Sequence, residues 1–113
     1  MPHEGLGEFE QMVLLAVVRL SNGDGDVYGV PIVEEIEKRT KRKAARAAVY
    51  ITLRRLERKG LIASWTSEPS EERGGKARHC VKMTAAGTRA LREARWAMNQ
   101  MWTGLDIGAG DRR

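Results

Sequence analysis

The sequence predicts a mainly α-helical fold with a small β-hairpin: a winged helix-turn-helix followed by a long C-terminal dimerisation helix. Three observations support this class. Residues 46–60 form an amphipathic helix that ends in a glycine. Two short strand-like segments follow it directly and are joined by a polar loop. The C-terminal part of the chain then carries apolar residues at helical spacing.

The segment 46–60 has two different faces when it is read on a 3.6-residue period. Val49, Leu53 and Leu56 fall on one side and are expected to pack into a small core. Gly60 is expected to end the helix, because glycine is common just past a helix C-terminus. A solvated surface helix would show the same pattern, so the neighbouring segments decide between the two. The opposite face holds Ala47, Ile51, Arg54 and Arg58.

Two further helices are predicted before this segment. Residues 9–20 are the most apolar of the chain, and their apolar side chains go most of the way round the helix. We therefore expect a central helix that is covered on several sides. A loop at 21–26 leads to a second helix over 30–38, in which Pro31 fits only in the first turn. Residues 40–45 connect to the third helix without proline or glycine, so the boundaries of this connection stay open.

A β-hairpin is predicted after Gly60, with a polar loop that contains the turn-forming pair Gly74-Gly75. Its strands are expected at 61–66 and 78–83. Thr84 is expected to cap a last helix over 85–105, without the glutamate of a capping box. The predicted organisation is a winged helix-turn-helix at 8–84, a dimerisation helix at 85–106, and flexible tails at 1–7 and 107–113.

The predicted last helix carries a narrow apolar stripe at alternating spacings of three and four residues, a pattern typical of helix pairing. We predict that this stripe forms a homodimer interface, and packing on its own domain is the alternative. Trp96 lies about 140° from Leu91 around the helix axis, off the stripe. Trp96 either packs against protein or lines a cavity at the dimer centre that accepts a small aromatic or cationic effector. The stripe consists of Leu91, Ala94, Met98, Met101, Trp102 and Leu105.

Basic charge is concentrated in one region of the sequence. The 113 residues carry a net charge of +5, and the pI is about 9.8. Residues 38–60 hold ten Lys or Arg against one Glu, a formal charge of +9, so the rest of the chain is net acidic. Duplex DNA presents about one phosphate charge per 1.7 Å of its axis, and Lys and Arg contacts release its counterions. The charge pattern therefore favours double-stranded DNA as the partner.

The candidate DNA contacts lie on the third helix, the connection before it and the wing. Arg46, Tyr50 and Arg54 are the best candidates for the major groove, since Arg can bind guanine O6 and N7 together. Thr52 is more consistent with a buried position. Simple solvation is the alternative for each candidate. The others are Lys41, Arg42 and Lys43 as backbone contacts, Ala47 and Ile51 on the exposed face, and Arg73, Lys76 and Arg78 at the wing tip, of which Arg73 and Lys76 are expected to reach phosphate or the minor groove.

Other classes of function find no support in the sequence. No acid, base and nucleophile converge at catalytic spacing, and there is no Gly-rich phosphate loop. His79 and Cys80 are too few for a zinc site. We therefore predict neither an enzyme nor a cofactor or metal. The single cysteine, the absence of a signal-peptide pattern, and a longest apolar run well below the about 20 residues that span a bilayer predict a cytoplasmic protein without a membrane partner.

Several motifs occur in a fixed order along the chain. They are Tyr28-Gly29, the run 49–57 with Gly60-Leu61-Ile62, Gly74-Gly75-Lys76, Met83-Thr84 and Gly87. Together they resemble the PadR family of bacterial transcriptional regulators, over residues 9–105. The resemblance implies a short, single-domain member that binds a palindromic operator as a homodimer and usually represses. It also implies release by small aromatic or drug-like molecules in some members.

Two positions depart from the family pattern. Ile51 stands where the family usually has a proline, and Cys80-Val81 stands where it has an aromatic pair. We predict a sequence-specific DNA-binding regulator. The alternative is a winged helix that serves as an architectural or protein-interaction module and binds DNA without sequence preference.

Overall fold

The structure, a computed structural model, describes residues 5–23, 25–68, 74–75 and 77–107. Four helices and two strands follow one another in the predicted order, and the predicted bounds differ from the observed ones by at most three residues. The helices are α1 (Glu8–Ser21), α2 (Gly29–Thr40), α3 (Arg46–Arg58) and α4 (Ala85–Trp102), and the strands β1 (Ile62–Thr66) and β2 (His79–Met83) lie between α3 and α4.

The core is built from one apolar face of each element. The predicted inner face of α3 is confirmed: Val49, Leu53 and Leu56 are buried, and Thr52 is buried beside them. Gly60 has φ 78°, the left-handed conformation that glycine adopts most readily, and it turns the chain into β1. The largest fully buried side chains are Leu14, Ile32, Leu56, Val13, Val17, Val49, Val81 and Cys80.

Several elements cover α1, as expected, but they do not enclose it completely. Val13, Leu14 and Val17 are buried against the other elements, but Leu15 and Val18 are 49% and 38% exposed. The elements that contact α1 are α2, α3, β2 and α4, and they leave Leu15 and Val18 uncovered. The α1 helix therefore presents a second, uncovered apolar face to solvent.

The folded domain also begins earlier than predicted, so the N-terminal tail is shorter. Leu6 packs against the core, and Gly7 caps α1 by donating its N–H to the Glu10 carboxylate at 2.9 Å. Residues 1–4 and 108–113 of the predicted tails lie outside the described residues. The folded domain thus includes residues that we expected to be loose.

The two strands pair antiparallel, with Ile62 opposite Met83 and Thr66 opposite His79. The Val81 N–H donates to the Val27 carbonyl at 2.9 Å, so β2 also bonds to the segment before α2. Gly74 and Gly75 have φ values of 69° and 79°, as a turn at this point of the hairpin requires. The wing is therefore attached to the helices through its second strand.

The start of α4 is docked on the turn between α3 and β1. The Thr84 hydroxyl accepts a hydrogen bond from the Gly87 N–H at 3.0 Å and donates to the Gly60 carbonyl at 2.8 Å. A Cβ on Gly87 would lie 2.2 Å from the Leu61 carbonyl oxygen, so only glycine fits there. The predicted cap by Thr84 is confirmed. Gly87 is where α4 approaches the backbone of Leu61 most closely.

The Gly87 contact predicts a clear effect of one methyl group. Gly87→Ala should destabilise the domain by about 1–3 kcal/mol, because a backbone carbonyl must move to admit the methyl. Denaturant unfolding followed by circular dichroism measures the change. Gly25→Ala is the control, since a Cβ there meets nothing within 4 Å. Equal stability of the two variants would contradict the proposed close approach.

Candidate nucleic-acid interface

The outward face of α3 is a continuous surface of exposed residues. Tyr50 and Ile51 are 39% and 56% exposed, in the middle of the helix. The face begins in the first turn and continues to the end of α3, since its members recur at spacings of three and four residues. All of them are exposed: Arg46, Ala47, Tyr50, Ile51, Arg54 and Arg58.

The connection between α2 and α3 is fixed by side chains in place of glycine or proline. The Thr40 hydroxyl accepts from the Arg42 N–H at 3.2 Å, and the Glu37 carboxylate accepts from the Ala44 N–H at 2.8 Å. Lys41 lies between them with φ 61°, which is unusual for a residue other than glycine. Ala44 is buried, which anchors the end of the connection in the core. The bounds of this connection could not be predicted from the sequence.

Half of the ten cations between positions 38 and 60 are paired with carboxylates of the same domain. Lys38 and Arg39 both pair with Glu35, at 3.8 and 2.6 Å. The Arg39 guanidinium also holds the pKa of Glu35 below its ordinary value. Arg42 pairs with Glu8 at 3.8 Å, but both side chains are exposed, so this contact contributes little.

The other two paired cations bind Glu10, a carboxylate on α1 that is only 7% exposed. Lys59 and Arg55 approach it to 3.0 and 4.0 Å. Burial raises the pKa of the Glu10 carboxyl, but the Gly7 N–H, Lys59 and Arg55 lower it more, and the net pKa lies below its ordinary value of 4.5. Glu10 therefore stays ionised at neutral pH and fastens the C-terminal end of α3 to α1.

The remaining five cations have no carboxylate within 4.0 Å in the part of the chain that the structure describes. They lie together, on the connection before α3 and on its outward face. An unpaired cation keeps its charge available for an external anion. This set, which we call the free cations, is Lys41, Lys43, Arg46, Arg54 and Arg58.

The contact of Tyr50 with Gly29 gives the glycine of the Tyr28-Gly29 motif a physical reason. A Cβ on Gly29 would lie 2.4 and 2.6 Å from two ring carbons of Tyr50 and 2.7 Å from its hydroxyl oxygen, so the Tyr50 ring rests directly on the first residue of α2. Glycine at this position lets the third helix approach the second closely. The contact also holds the Tyr50 ring beside the N-terminus of α2, at one side of the outward face.

The placement of Arg78 at the wing tip is wrong. Arg78 lies at the base of the wing loop, where its N–H donates to the Ser67 hydroxyl at 2.9 Å. Its guanidinium carbon lies 4.4 Å from the centre of the Tyr28 ring, and it is 3.9 Å from Asp26. This long-range packing overrides the local pattern. Arg73 and Lys76, the other wing candidates, lie outside the described residues.

The apolar stripe of α4 is divided between two environments. Leu91 packs against the core of its own domain, and Ala94 is half-buried. Beyond them every residue of α4 is exposed; Met101 is 75% and Trp96 65% exposed. The helix ends at Trp102, not Leu105, because Gly104 takes a left-handed φ of 86°. The other exposed members of the predicted interface are Met98, Trp102 and Leu105.

The fold and the outward face of α3 define a winged-helix protein with a basic third helix. The sequence profile of the Transcriptional regulator PadR-like family matches residues 14–93, and the chain belongs to this family of DNA-binding transcriptional regulators. A comparison with curated proteins finds no match.

Solved structures of similar fold support the same architecture. A PadR-like transcriptional regulator from Bacillus cereus strain ATCC 14579 has a TM-score of 0.68 and 18% identity, over 92% of this chain and 93% of its own. A transcriptional regulator from Clostridium thermocellum has a TM-score of 0.68 and 19% identity, over 91% and 92%. A PadR family transcriptional regulator from Eggerthella lenta DSM 2243 has a TM-score of 0.63 and 24% identity, over 90% and 87%. The winged-helix prediction is confirmed.

Two further features concern only the described ranges. Within them, no helix has the length and apolar character needed to cross a membrane. The same residues contain no group of three or more His, Cys, Asp or Glu side chains that could hold a metal ion.

The strained backbone at Lys41 predicts opposite effects on stability and binding. Lys41→Gly should stabilise the domain by about 0.5–1 kcal/mol, because glycine adopts φ 61° without the steric cost of a side chain. The same change should weaken duplex binding, because a free cation is lost. Thermal unfolding and a binding titration measure the two effects.

Lys43→Gly is the matched control for this prediction. It removes a charge from the same connection, but Lys43 is not among the described residues with positive φ. Lys43→Gly should therefore weaken binding without stabilising the fold. If both glycine variants are destabilised alike, the backbone conformation of Lys41 does not lower the free energy of unfolding.

Proposed function

We propose that this protein is a sequence-specific regulator that binds a palindromic operator in double-stranded DNA as a homodimer and represses transcription. The observation that carries the proposal is the set of five free cations on one face. Three of them lie on the outward face of α3 and two on the connection before it, and the major groove admits an α-helix. Such a regulator acts where the chromosome is, in the cytoplasm.

The outward face of α3 offers both kinds of contact that a duplex requires. Arg46 and Arg54 can bind guanine edges, and Ile51 can contact a thymine methyl group. Lys41 and Lys43 on the connection before α3 suit phosphates, which position the helix without reading sequence. Ala47 leaves room for close approach, and the Tyr50 hydroxyl beside the α2 N-terminus can donate to a phosphate.

The homodimer is supported by the apolar surface that the single chain leaves uncovered. Met98, Met101 and Trp102 are exposed on α4, and Leu15 and Val18 are exposed on α1, which contacts α4. Large exposed apolar patches mark interaction sites. A two-fold dimer places two copies of α3 in related orientations, and its operator would then share that symmetry. Repression follows if the dimer covers a promoter.

Release by an effector is a further part of the proposal. Trp96 is 65% exposed and lies off the apolar stripe. In a dimer paired through α4, two such indoles could line a shared cavity, the kind of place where ligand sites occur. Indole faces attract planar cations by about 0.5–2 kcal/mol. An effector that prefers the non-binding arrangement of the two copies of α3 would lower operator affinity.

Selection of binding sites from random duplex DNA tests the central proposal. We expect an enriched palindrome, because two symmetric copies of α3 would read two half-sites. Arg54→Ala should lose about 1–3 kcal/mol of discrimination at one base pair. Lys43→Ala should weaken all sequences alike and reduce the salt slope by about 0.9.

Three results would count against this reading. If no sequence is enriched, the protein is an architectural or interaction module. If Arg54→Ala weakens selected and random duplexes equally, Arg54 is only a phosphate contact. If Lys43→Ala leaves the salt slope unchanged, Lys43 does not reach a phosphate.

The dimer interface has its own test. Replacing Met98 and Met101 by Glu should yield monomers in analytical ultracentrifugation, because burying two carboxylates in the interface costs on the order of several kcal/mol. The control replaces Asn99 and Gln100 by Glu, which adds the same charge at exposed positions away from the stripe. A Met98 and Met101 double variant that remains fully dimeric would rule out this interface.

The effector proposal predicts that planar cationic dyes quench tryptophan fluorescence through Trp96. The saturable quenching seen with the native chain should be lost in Trp96→Ala. It should persist in Trp65→Phe, since Trp65 lies on β1 in the wing. If dyes quench the Trp96→Ala variant as strongly as the native chain, or if no dye binds, Trp96 is a packing residue.

A further inference from the structure

The base of the wing is closed at Arg78. The Arg78 N–H donates to the Ser67 hydroxyl at 2.9 Å, and the Ser67 N–H donates to the Arg78 carbonyl at 2.8 Å. The side chain of Arg78 extends from the wing towards Tyr28 and Asp26. Its guanidinium carbon lies 4.4 Å from the centre of the Tyr28 ring, and its Nη1 lies 3.9 Å from the Asp26 carboxylate.

Tyr28 is itself joined to the outward face of α3. It immediately precedes Gly29, on which the Tyr50 ring rests. A continuous series of contacts therefore runs from the wing through Arg78, Tyr28 and Gly29 to Tyr50. A second link between the wing and the same segment is the hydrogen bond of 2.9 Å that the Val81 N–H donates to the Val27 carbonyl.

We propose that Arg78 is a positioning residue, which fixes the wing relative to α3 by stacking on Tyr28 and so contributes to the sequence specificity of duplex binding. This rests on the function proposed above. It assigns Arg78 a role different from a phosphate contact. The planar guanidinium can stack on an aromatic face while it approaches a carboxylate, and a lysine ammonium cannot reproduce that geometry.

Four variants separate positioning from phosphate contact. Arg78→Lys keeps the charge but loses the planar group, and Arg78→Gln loses both. Tyr28→Leu removes the aromatic face, whereas Tyr28→Phe retains it and serves as the matched control. Tyr28 makes no side-chain cap to α2, so neither change at this residue removes a helix cap. Each variant is titrated with the selected duplex and with a random duplex at several salt concentrations.

Positioning predicts that Arg78→Lys, Arg78→Gln and Tyr28→Leu all bind the selected duplex about threefold to tenfold more weakly, the range expected for a cation–π contact. Their salt slopes and their binding to random duplex should match the native chain, and so should Tyr28→Phe in every respect. The proposal is overturned if Arg78→Lys binds like the native protein while Arg78→Gln lowers the salt slope by about 0.9. It is also overturned if Tyr28→Leu has no effect.

Amide hydrogen exchange tests the same contact without DNA. In Arg78→Lys and Tyr28→Leu, the Ser67 and Val81 amides should exchange about threefold to tenfold faster, because the wing base opens more often. The Val49 amide in α3 should be unchanged, which shows that the domain is folded. If the native chain binds no duplex, the proposed function fails. Amide exchange still tests whether the contact between Arg78 and Tyr28 fixes the wing. Unchanged Ser67 and Val81 exchange in both variants would overturn it.

Discussion

Burial of one face of α3 is the constraint on which the rest of the structure depends. Val49, Leu53 and Leu56 can be removed from water only if α3 packs on α1, α2 and β1. Because an α-helix turns its residues through a fixed angle, this burial also decides which side chains point outward. The exposed face of α3 is thus a consequence of the core. The polar connection before it and the glycine after it set where that face begins and ends.

The charges of the domain are sorted by the same packing. Carboxylates on α1 and α2 face the edges of the basic region and pair with five of its ten cations. The pair formed by Glu10 also stabilises the fold, since Glu10 is buried and its contact with Lys59 joins the end of α3 to α1. The formal charge of residues 38–60 therefore overstates what a partner meets. What is left is a smaller and more localised set of cations, centred on the outward face.

Features with local causes could be predicted from the sequence, and features with distant causes could not. The buried face of α3 and the Thr84 cap follow from spacing within one helix. Glu10 meets Lys59, which is 49 positions away, and no local pattern signals that pairing. Arg78 was misplaced for the same reason, because its partner Tyr28 lies 50 positions earlier in the chain, just before α2. The exposed side of α1 depends on how many elements pack around it, which composition does not determine.

The central claim is that, of the ten cations at 38–60, the free cations contact DNA and the paired ones do not. The salt dependence of binding tests this claim most directly. One double variant replaces Lys41 and Lys43 by Gln, and the other replaces Lys38 and Arg39, which carry the same charge but are paired. The slope of log binding constant against log salt should fall by about 1.8 in the first and stay unchanged in the second, at about 0.9 per phosphate contact. Equal losses of slope in the two variants would contradict the sorting of charges described above.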